Sequence, residues 1–302
     1  MAGTVIIYNP QSGGGSHADK VEDRADLSGY AVERSERAGE AVLLTREAIE
    51  AGYETIVAAG GDGTVNEVVQ GLDRADAFDD VTFGILPLGT GNNFAKQIGI
   101  TDLETAFAAL DDGTRRTVDI GMATDRPFVN SCVAGLTAAS VSETSSALKS
   151  RIGGAAYVLT TLRTVTEFEP LRLTVDDASG GDTPTWRGEA LCVMVGNGRQ
   201  FAADGTTQAN MEDGRFEVAI VKDVPKFDLM SDAVFERLFG RDSPHIDRFR
   251  AESVDIESGS GDPVRFTLDG EIIERRDIAL SVRPRTLRLV VGEGYDPEPM
   301  DP

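Results

Sequence analysis

Histidine is almost missing from this chain: His17 and His245 are the only two in 302 residues. That scarcity argues against zinc hydrolases and multi-histidine metal centres. Cysteine is as rare. Cys132 and Cys192 both stand in apolar runs (VNSCVAG and EALCVMV), the setting expected of reduced core thiols in a cytosolic protein. Of 29 basic residues, 24 are arginine and 5 lysine. No Gly-Lys pair occurs, so there is no Walker A loop. No stretch has the apolar length of a membrane span. The opening run TVIIYNP has neither a basic nor a long apolar leader segment, so no signal peptide is expected. What the chain has in excess is acid: 51 Asp and Glu give a net charge of -22. No basic face is evident, and nucleic acid is not an expected partner. The acidity points to adaptation to concentrated salt, where a Debye length of roughly 3 Å near 1 M screens self-repulsion.

Up to about residue 120 strand-like and helix-like runs alternate. VIIYN, YAVERS, ETIVAAG and TFGILPLG read as strands. EAVLLTREAIEAG, VNEVVQGL, NFAKQIG and LETAFAALDDG read as helices, the last stopped by Gly113. Repeated βα units of this kind imply a parallel sheet covered by helices. Beyond that point the runs VDIGMA, PFVNSCVAG, LRLTVDD, TWRGEALCVMVGNG, FEVAIVKD, SVDIESG, VRFTLDGE, IALSVRP and TLRLVVG read as strands between short turns. Helical stretches are expected near 142–166 and 226–240. The expected fold is an α/β domain with a parallel sheet, followed by a mostly antiparallel β-sandwich. The expected division is 1–121, with 286–302 returning to it, and 122–285.

Three glycine-rich loops follow strands of the first half. Residues 60–64 read GGDGT and run straight into a helical pattern. Such a turn brings backbone N–H groups close to a phosphate at a helix N-terminus. The plain alternative is a tight βα turn capped by Asp62. A carboxylate beside phosphates calls for Mg²⁺, through water, or for an orienting hydrogen bond. The loops PLGTGNNFAK (87–96) and YNPQSGGGS (8–16) have the same character. Ligands of open α/β folds bind at this sheet edge. The third loop also holds G-x-G-x-x-A, from Gly13 to Ala18, with Glu33 twenty residues after Gly13, which keeps a dinucleotide-binding dehydrogenase as an alternative. Far downstream, FTLDGEIIE (266–274) places Asp269 and Glu271 around a glycine. That is either a surface β-turn or a pair of catalytic carboxylates.

Taken together, Asn-Pro-x-Ser-Gly (9–13), Gly-Gly-Asp-Gly-Thr-x-Asn-Glu (60–67), Pro-Leu-Gly-Thr-x-Asn (87–92) and Asp-Gly-Glu (269–271) resemble the diacylglycerol kinase catalytic-domain family. That family includes soluble bacterial lipid kinases and sphingosine kinases, and NAD kinases share its Gly-Gly-Asp-Gly-Thr loop. The resemblance implies ATP and Mg²⁺ as cofactors, with ATP between two domains. It implies ATP contacts from Asn9, Pro10, Gln11, Ser12 and Gly13, from Ser35, from Gly60, Gly61, Asp62, Gly63, Thr64, Val65, Asn66 and Glu67, and from Gly89, Thr90 and Asn92. Ser35 stands where the family often has threonine. Asp269 and Glu271 match the carboxylates that take the proton. A structural Mg²⁺ is implied at Asp213, with the carbonyls of Asn210 and Arg215.

The chain departs from the family where Asn93 replaces an aspartate and where Ala202-Ala203-Asp204-Gly205 replaces a glycine run. The implied activity is an ATP-dependent lipid kinase acting on a diacylglycerol-like or dialkylglycerol-like hydroxyl, cytoplasmic and transiently at a membrane surface. A homodimer is a further expectation, as is a groove for the acyl chain beside 154–162, although most of that stretch reads as an ordinary core-facing helix. An NAD kinase-like enzyme and a non-catalytic nucleotide-binding protein are the alternatives.

Overall fold

The structure, a computed structural model, describes residues 3–15, 18–135, 170–178, 185–202, 205–222 and 243–299. The helices expected near 142–166 and 226–240 and the groove expected beside 154–162 lie outside these. The chain forms two compact units, Met1–Ile120 with Pro284–Pro297, and Gly121–Arg283 with Glu298–Pro302.

In the first unit the order is β1 (Gly3–Tyr8), α1 (Ala18–Ser28), β2 (Ala31–Arg34), α2 (Glu40–Glu50), β3 (Tyr53–Gly60), α3 (Asp62–Arg74), β4 (Thr82–Pro87), α4 (Asn93–Gln97), α5 (Leu103–Asp112) and the first part of β5 (Thr114–Ala123). β1 and β3 are central strands of a parallel sheet, and Val5–Tyr8 and Ile56–Ala59 are buried throughout because helices cover both faces. α3 buries Val65, Val68, Val69 and Leu72, a stripe at helical spacing. α5 starts at a capping box between Asp102 and Thr105 and ends at Gly113.

The parallel register decides where the loops come out. Tyr8 aligns with Arg34 on one side and Ala59 on the other, and Gly60 aligns with Pro87. The segments after β1, β2, β3 and β4 therefore emerge side by side at the carboxyl edge of the sheet.

The second unit is a mostly antiparallel β-sandwich. After β5 come β6 (Arg126–Phe128), β7 (Ser131–Ala134), β8 (Leu171–Asp177), β9 (Trp186–Gly196), β10 (Arg199–Ala202), β11 (Gly205–Gln208), β12 (Phe216–Lys222), β13 (Ile246–Ala251), β14 (Ser253–Ser258), β15 (Val264–Leu268), β16 (Glu271–Arg275) and β17 (Asp277–Val291). β9 is the hub: its first half pairs with β8, its second half with β7 and β12. Phe128 and Phe216 stack in the core, ring centroids 5.6 Å apart. Cys132 and Cys192 are both free and buried, and burial raises both thiols, Cys192 to about 12.

Three features differ from the sequence expectation. PFVNSCVAG is two strands, broken at Val129 and Asn130, whose N–H groups turn to the carboxylate of Asp269. IALSVRP and TLRLVVG are one strand, β17, despite Pro284. There Arg285 takes φ 48° and donates its N–H to buried Asp119 at 2.7 Å. This is also where the chain re-enters the first unit, pairing Leu289 with Phe83 of β4 in parallel. The hairpin β10–β11 and strand β13 were not anticipated, because GTTQ is short and IDRFRA hides its alternation under charge.

Candidate functional site

A cavity of about 300 Å³ opens at the carboxyl edge of the first unit's sheet, lined by Asn9, Gln11, Ser12, Ser35, Glu36, Arg37, Ala38, Gly61, Gly63, Thr64 and Glu67. It is built from the ends of β1, β2 and β3. Asn9 continues β1, its N–H bonded to Ala59, and its side chain accepts from Gln11 N–H at 3.0 Å and donates to Thr64 Oγ1 at 3.2 Å. Ser35 is nearly buried, with both its N–H and its hydroxyl directed to the carbonyl of Tyr8. Gly60 closes β3. A Cβ there would lie 2.2 Å from Thr64 Oγ1, so the threonine can fold over the strand end only above a glycine.

Glu67, one turn further along α3, reaches across to α2. Its carboxylate accepts the N–H of Gly39 at 2.8 Å and of Ala41 at 3.3 Å. A carboxylate at a helix N-terminus satisfies orphan donors and meets the positive end of the helix dipole. Glu67 thereby fixes the loop 35–39 as a wall of the cavity. Arg37 is the cation on that wall, 3.8 Å from Glu40. Glu36, Arg37 and Ala38 were missed in the sequence. The signal that could have found them is the one that flagged the other loops: a polar, glycine-ended segment after a parallel strand.

The remaining residues of the glycine motifs stand elsewhere. Asp62 does not cap its own helix; the N-cap is Gly61, without a side-chain bond. The Asp62 carboxylate instead accepts from Asn93 N–H, Asn93 Nδ2 and Phe94 N–H at 3.1, 3.2 and 3.0 Å. Val65 and Asn66 face the core, 2% and 1% exposed, and Asn66 accepts from Gln70. These two pack within α3 and are absent from the lining of this cavity. Asn92, at φ 48°, exchanges two hydrogen bonds with Gly89, and Thr90 is exposed at the tip of that loop. Pro10 and Gly13 shape the first loop without lining the cavity; Gly13 has φ 62°.

In the second unit Asp269 and Gly270 form a two-residue hairpin turn between β15 and β16, with Leu268 opposite Glu271 and φ 46° and 97°. Both positive angles fit the tight turn that Asp-Gly favours. The Asp269 side chain is nonetheless engaged, accepting from Val129, Asn130 and Ser131 N–H at 2.8, 2.9 and 2.9 Å. Its own N–H donates to Ser131. Glu271, half exposed, pairs with Arg126. The two carboxylates therefore occupy different environments.

At the turn 210–215, Asn210 Oδ1 accepts from Glu212 N–H and Asp213 Oδ1 from Arg215 N–H at 3.0 Å, while Asp213 Oδ2 lies 4.0 Å from Arg250. Desolvation nevertheless raises the Asp213 carboxyl above its ordinary value, against the pull of these partners. Among the described residues, no three His, Cys, Asp or Glu side chains cluster as a metal site.

Comparison with known proteins agrees with this arrangement in both units. The profile of the diacylglycerol kinase catalytic domain matches residues 3–123, and that of the YegS C-terminal NAD kinase beta sandwich-like domain matches residues 130–291. A Pseudomonas aeruginosa protein named "Probable lipid kinase YegS-like" is 35% identical over 258 residues, 85% of this chain and 82% of the relative. A "Probable lipid kinase YegS" of Escherichia coli is 30% identical, over 83% of this chain and 82% of the relative. The crystal structure of a diacylglycerol kinase from Bacillus anthracis superposes with a TM-score of 0.76 at 22% identity, covering 97% of this chain and 98% of that one. By these matches the chain is a kinase of the diacylglycerol kinase catalytic-domain family, carrying that domain first and a YegS-type β-sandwich second.

Proposed function

We propose that this kinase transfers the γ-phosphoryl group of ATP, with Mg²⁺, to the hydroxyl of a diacylglycerol-like or dialkylglycerol-like lipid. The observation that carries the nucleotide half is the cavity of the first unit, where the glycine-rich and Ser35 loops meet at the carboxyl edge of a parallel sheet. Asn9, Gln11, Ser12 and Ser35 offer side chains, their N–H groups being used to hold the loops in place. Gly61 and Gly63 let backbone approach the phosphates closely, and Arg37 adds one positive charge. Gly89, Thr90 and Asn92 complete the edge. The lipid half rests on the relatives, which are named lipid kinases.

When bound with the nucleotide, Mg²⁺ supplies charge neutralisation of the triphosphate that one arginine does not. The Asp62 oxygens face three donors, so this ion is assigned to the phosphates and not to Asp62. A second, structural cation fits the turn 210–215: the Asp213 carboxyl is raised by desolvation, which a cation would relieve, and the carbonyls of Asn210 and Arg215 are hard oxygen donors. The protein's own part in the transfer is positioning and proton transfer. A carboxylate of the 269–271 turn, Asp269 or Glu271, orients the acceptor hydroxyl and takes its proton late in the transfer.

No helix among the described residues is long and apolar enough to cross a membrane. A cytoplasmic enzyme that visits the membrane surface transiently is the corresponding proposal. A soluble acceptor is the second reading, favoured by the NAD kinase likeness in the sandwich domain's description. Radiolabelled ATP incubated with total lipid extract at high salt, and in parallel with NAD, separates the two. A labelled phospholipid supports the proposal, and label in NADP alone replaces it. ATP binding without label in either product leaves a nucleotide-binding protein and refutes both.

A further inference from the structure

We propose that Arg126 is a positioning residue of the phosphoryl transfer, acting through Glu271. The inference rests on the reading that a carboxylate of the 269–271 turn handles the proton of the acceptor.

One stretch of chain, 126–131, holds both carboxylates of that turn, in opposite ways. Asp269 takes three backbone N–H groups, of Val129, Asn130 and Ser131, so its aim is set by the main chain. Glu271 opens β16, the end strand of its sheet, whose neighbour is β15. Its side chain is 45% exposed, and among the described residues its one polar partner is Arg126. A glutamate so placed would otherwise range over several solvated rotamers. Arg126 has little such freedom. It opens β6 opposite Ala123 of β5, and the two residues after it, Pro127 and Phe128, are buried. Phe128 is stacked on Phe216 in the core. From that base the guanidinium, 26% exposed, reaches a carboxylate 145 residues downstream.

Stability does not explain the pair. An ion pair with a half-exposed carboxylate contributes little, because water and salt screen it. Arg126 Nε is meanwhile buried and, among the described residues, has no acceptor. An orphaned buried donor costs more than such a pair returns. What the contact supplies is direction. A guanidinium fixed at its base sets the rotamer of the carboxylate, and proton transfer depends on a base held within hydrogen-bond reach of the hydroxyl.

The test measures label transfer from ATP to a short-chain diacylglycerol in mixed micelles, with total lipid extract as acceptor where that lipid is not labelled. The full chain is compared with Arg126→Gln, Arg126→Lys, Glu271→Gln and the double variant Arg126→Gln/Glu271→Gln. Arg126→Gln is expected to lower kcat about 10- to 100-fold, with ATP KM and Tm near wild type. Arg126→Lys keeps the charge without the planar fork and is expected to recover part of the loss; its smaller fall in kcat serves if Arg126→Gln does not fold. In the Glu271→Gln background Arg126→Gln is expected to cost about 2-fold or less, because the group it acts through is already gone. If Glu271→Gln leaves no turnover to compare, recovery by Arg126→Lys decides. Wild-type kcat in Arg126→Gln would overturn the proposal. So would a double variant whose loss is the product of the two single losses, a lysine variant no better than the glutamine one, or a fall in kcat matched by a higher ATP KM and a lower Tm. A wild-type chain that labels neither acceptor defeats the lipid-kinase reading itself, and the proposal falls with it.

Discussion

Replacing Asp269 by asparagine separates a carboxylate that anchors the fold from one that only handles a proton. Three backbone N–H groups, of Val129, Asn130 and Ser131, converge on this side chain from 138 to 140 residues upstream. Asn130 and Ser131 donate to Oδ1, and Val129 donates to Oδ2. In the asparagine variant the amide oxygen keeps the shared pair, now without charge assistance, while the amide nitrogen confronts the N–H of Val129. Asparagine accepts φ 46° as readily as aspartate, so the backbone adds no separate cost. A hydrogen bond to a charged group contributes about 1.5–3 kcal/mol, and an orphaned buried donor costs about 1–3 kcal/mol. One bond lost and two weakened amount to about 2–3 kcal/mol. For a unit of this size each kcal/mol lowers Tm by roughly 2–4 °C, so a fall of roughly 4–12 °C is expected. The assay is thermal unfolding by circular dichroism, with hydrogen exchange at Val129 as the local probe. A variant that loses activity while melting with wild type, its Val129 amide still protected, would refute the anchoring argument.

Gly99→Ala is expected to unlatch the C-terminal segment: Gly99 has φ 76°, and a Cβ would stand 2.6 Å from Tyr295 N and 2.7 Å from Gly294 N. The cost exceeds about 1 kcal/mol, and faster proteolysis after residue 292 is the readout; unchanged proteolysis would refute it. The Tyr30 phenol, raised to about 12 first by burial and then by its bond to Asp111, favours the protonated form in the folded state. That stability is fully present below the ordinary value of 10.0 and lost as pH climbs from there toward about 12, so urea midpoints of Tyr30→Phe should fall less steeply over this window than those of wild type. Equal slopes would count against it. The charge of -22 predicts a midpoint that rises with salt as the Debye length shrinks, measured from low ionic strength to about 1 M; a flat dependence would remove the case for salt adaptation.

Local pattern alone made a good part of this protein legible. The βα alternation of the first unit follows from periodicity, and the cavity's address from glycine-rich segments after parallel strands. The Asp269-Gly270 turn follows from the backbone angles that pair of residues tolerates. The core position of Val65 was also legible, as one of the stripe 65, 68, 69, 72, although the motif around it suggested a ligand contact. Proline misled in the other direction: Pro284 reads as a strand break, yet β17 runs through it because Asp119 takes the N–H of Arg285.

What the sequence could not say is which distant groups each carboxylate meets. Asp62 and Glu67 belong to one motif, but their partners lie 31 and 28 residues away, at the N-termini of α4 and α2. They meet because the parallel register sets the ends of β2, β3 and β4 at one edge, where each helix N-terminus exposes donors that need an acceptor. Likewise the strand PFVNSCVAG breaks at Val129 only because the hairpin turn carries Asp269 to it. Residue type fixes which groups want partners, since a buried N–H or carboxylate left alone is costly. Only the packed chain, with its strand order and register, decides which of them are brought within reach.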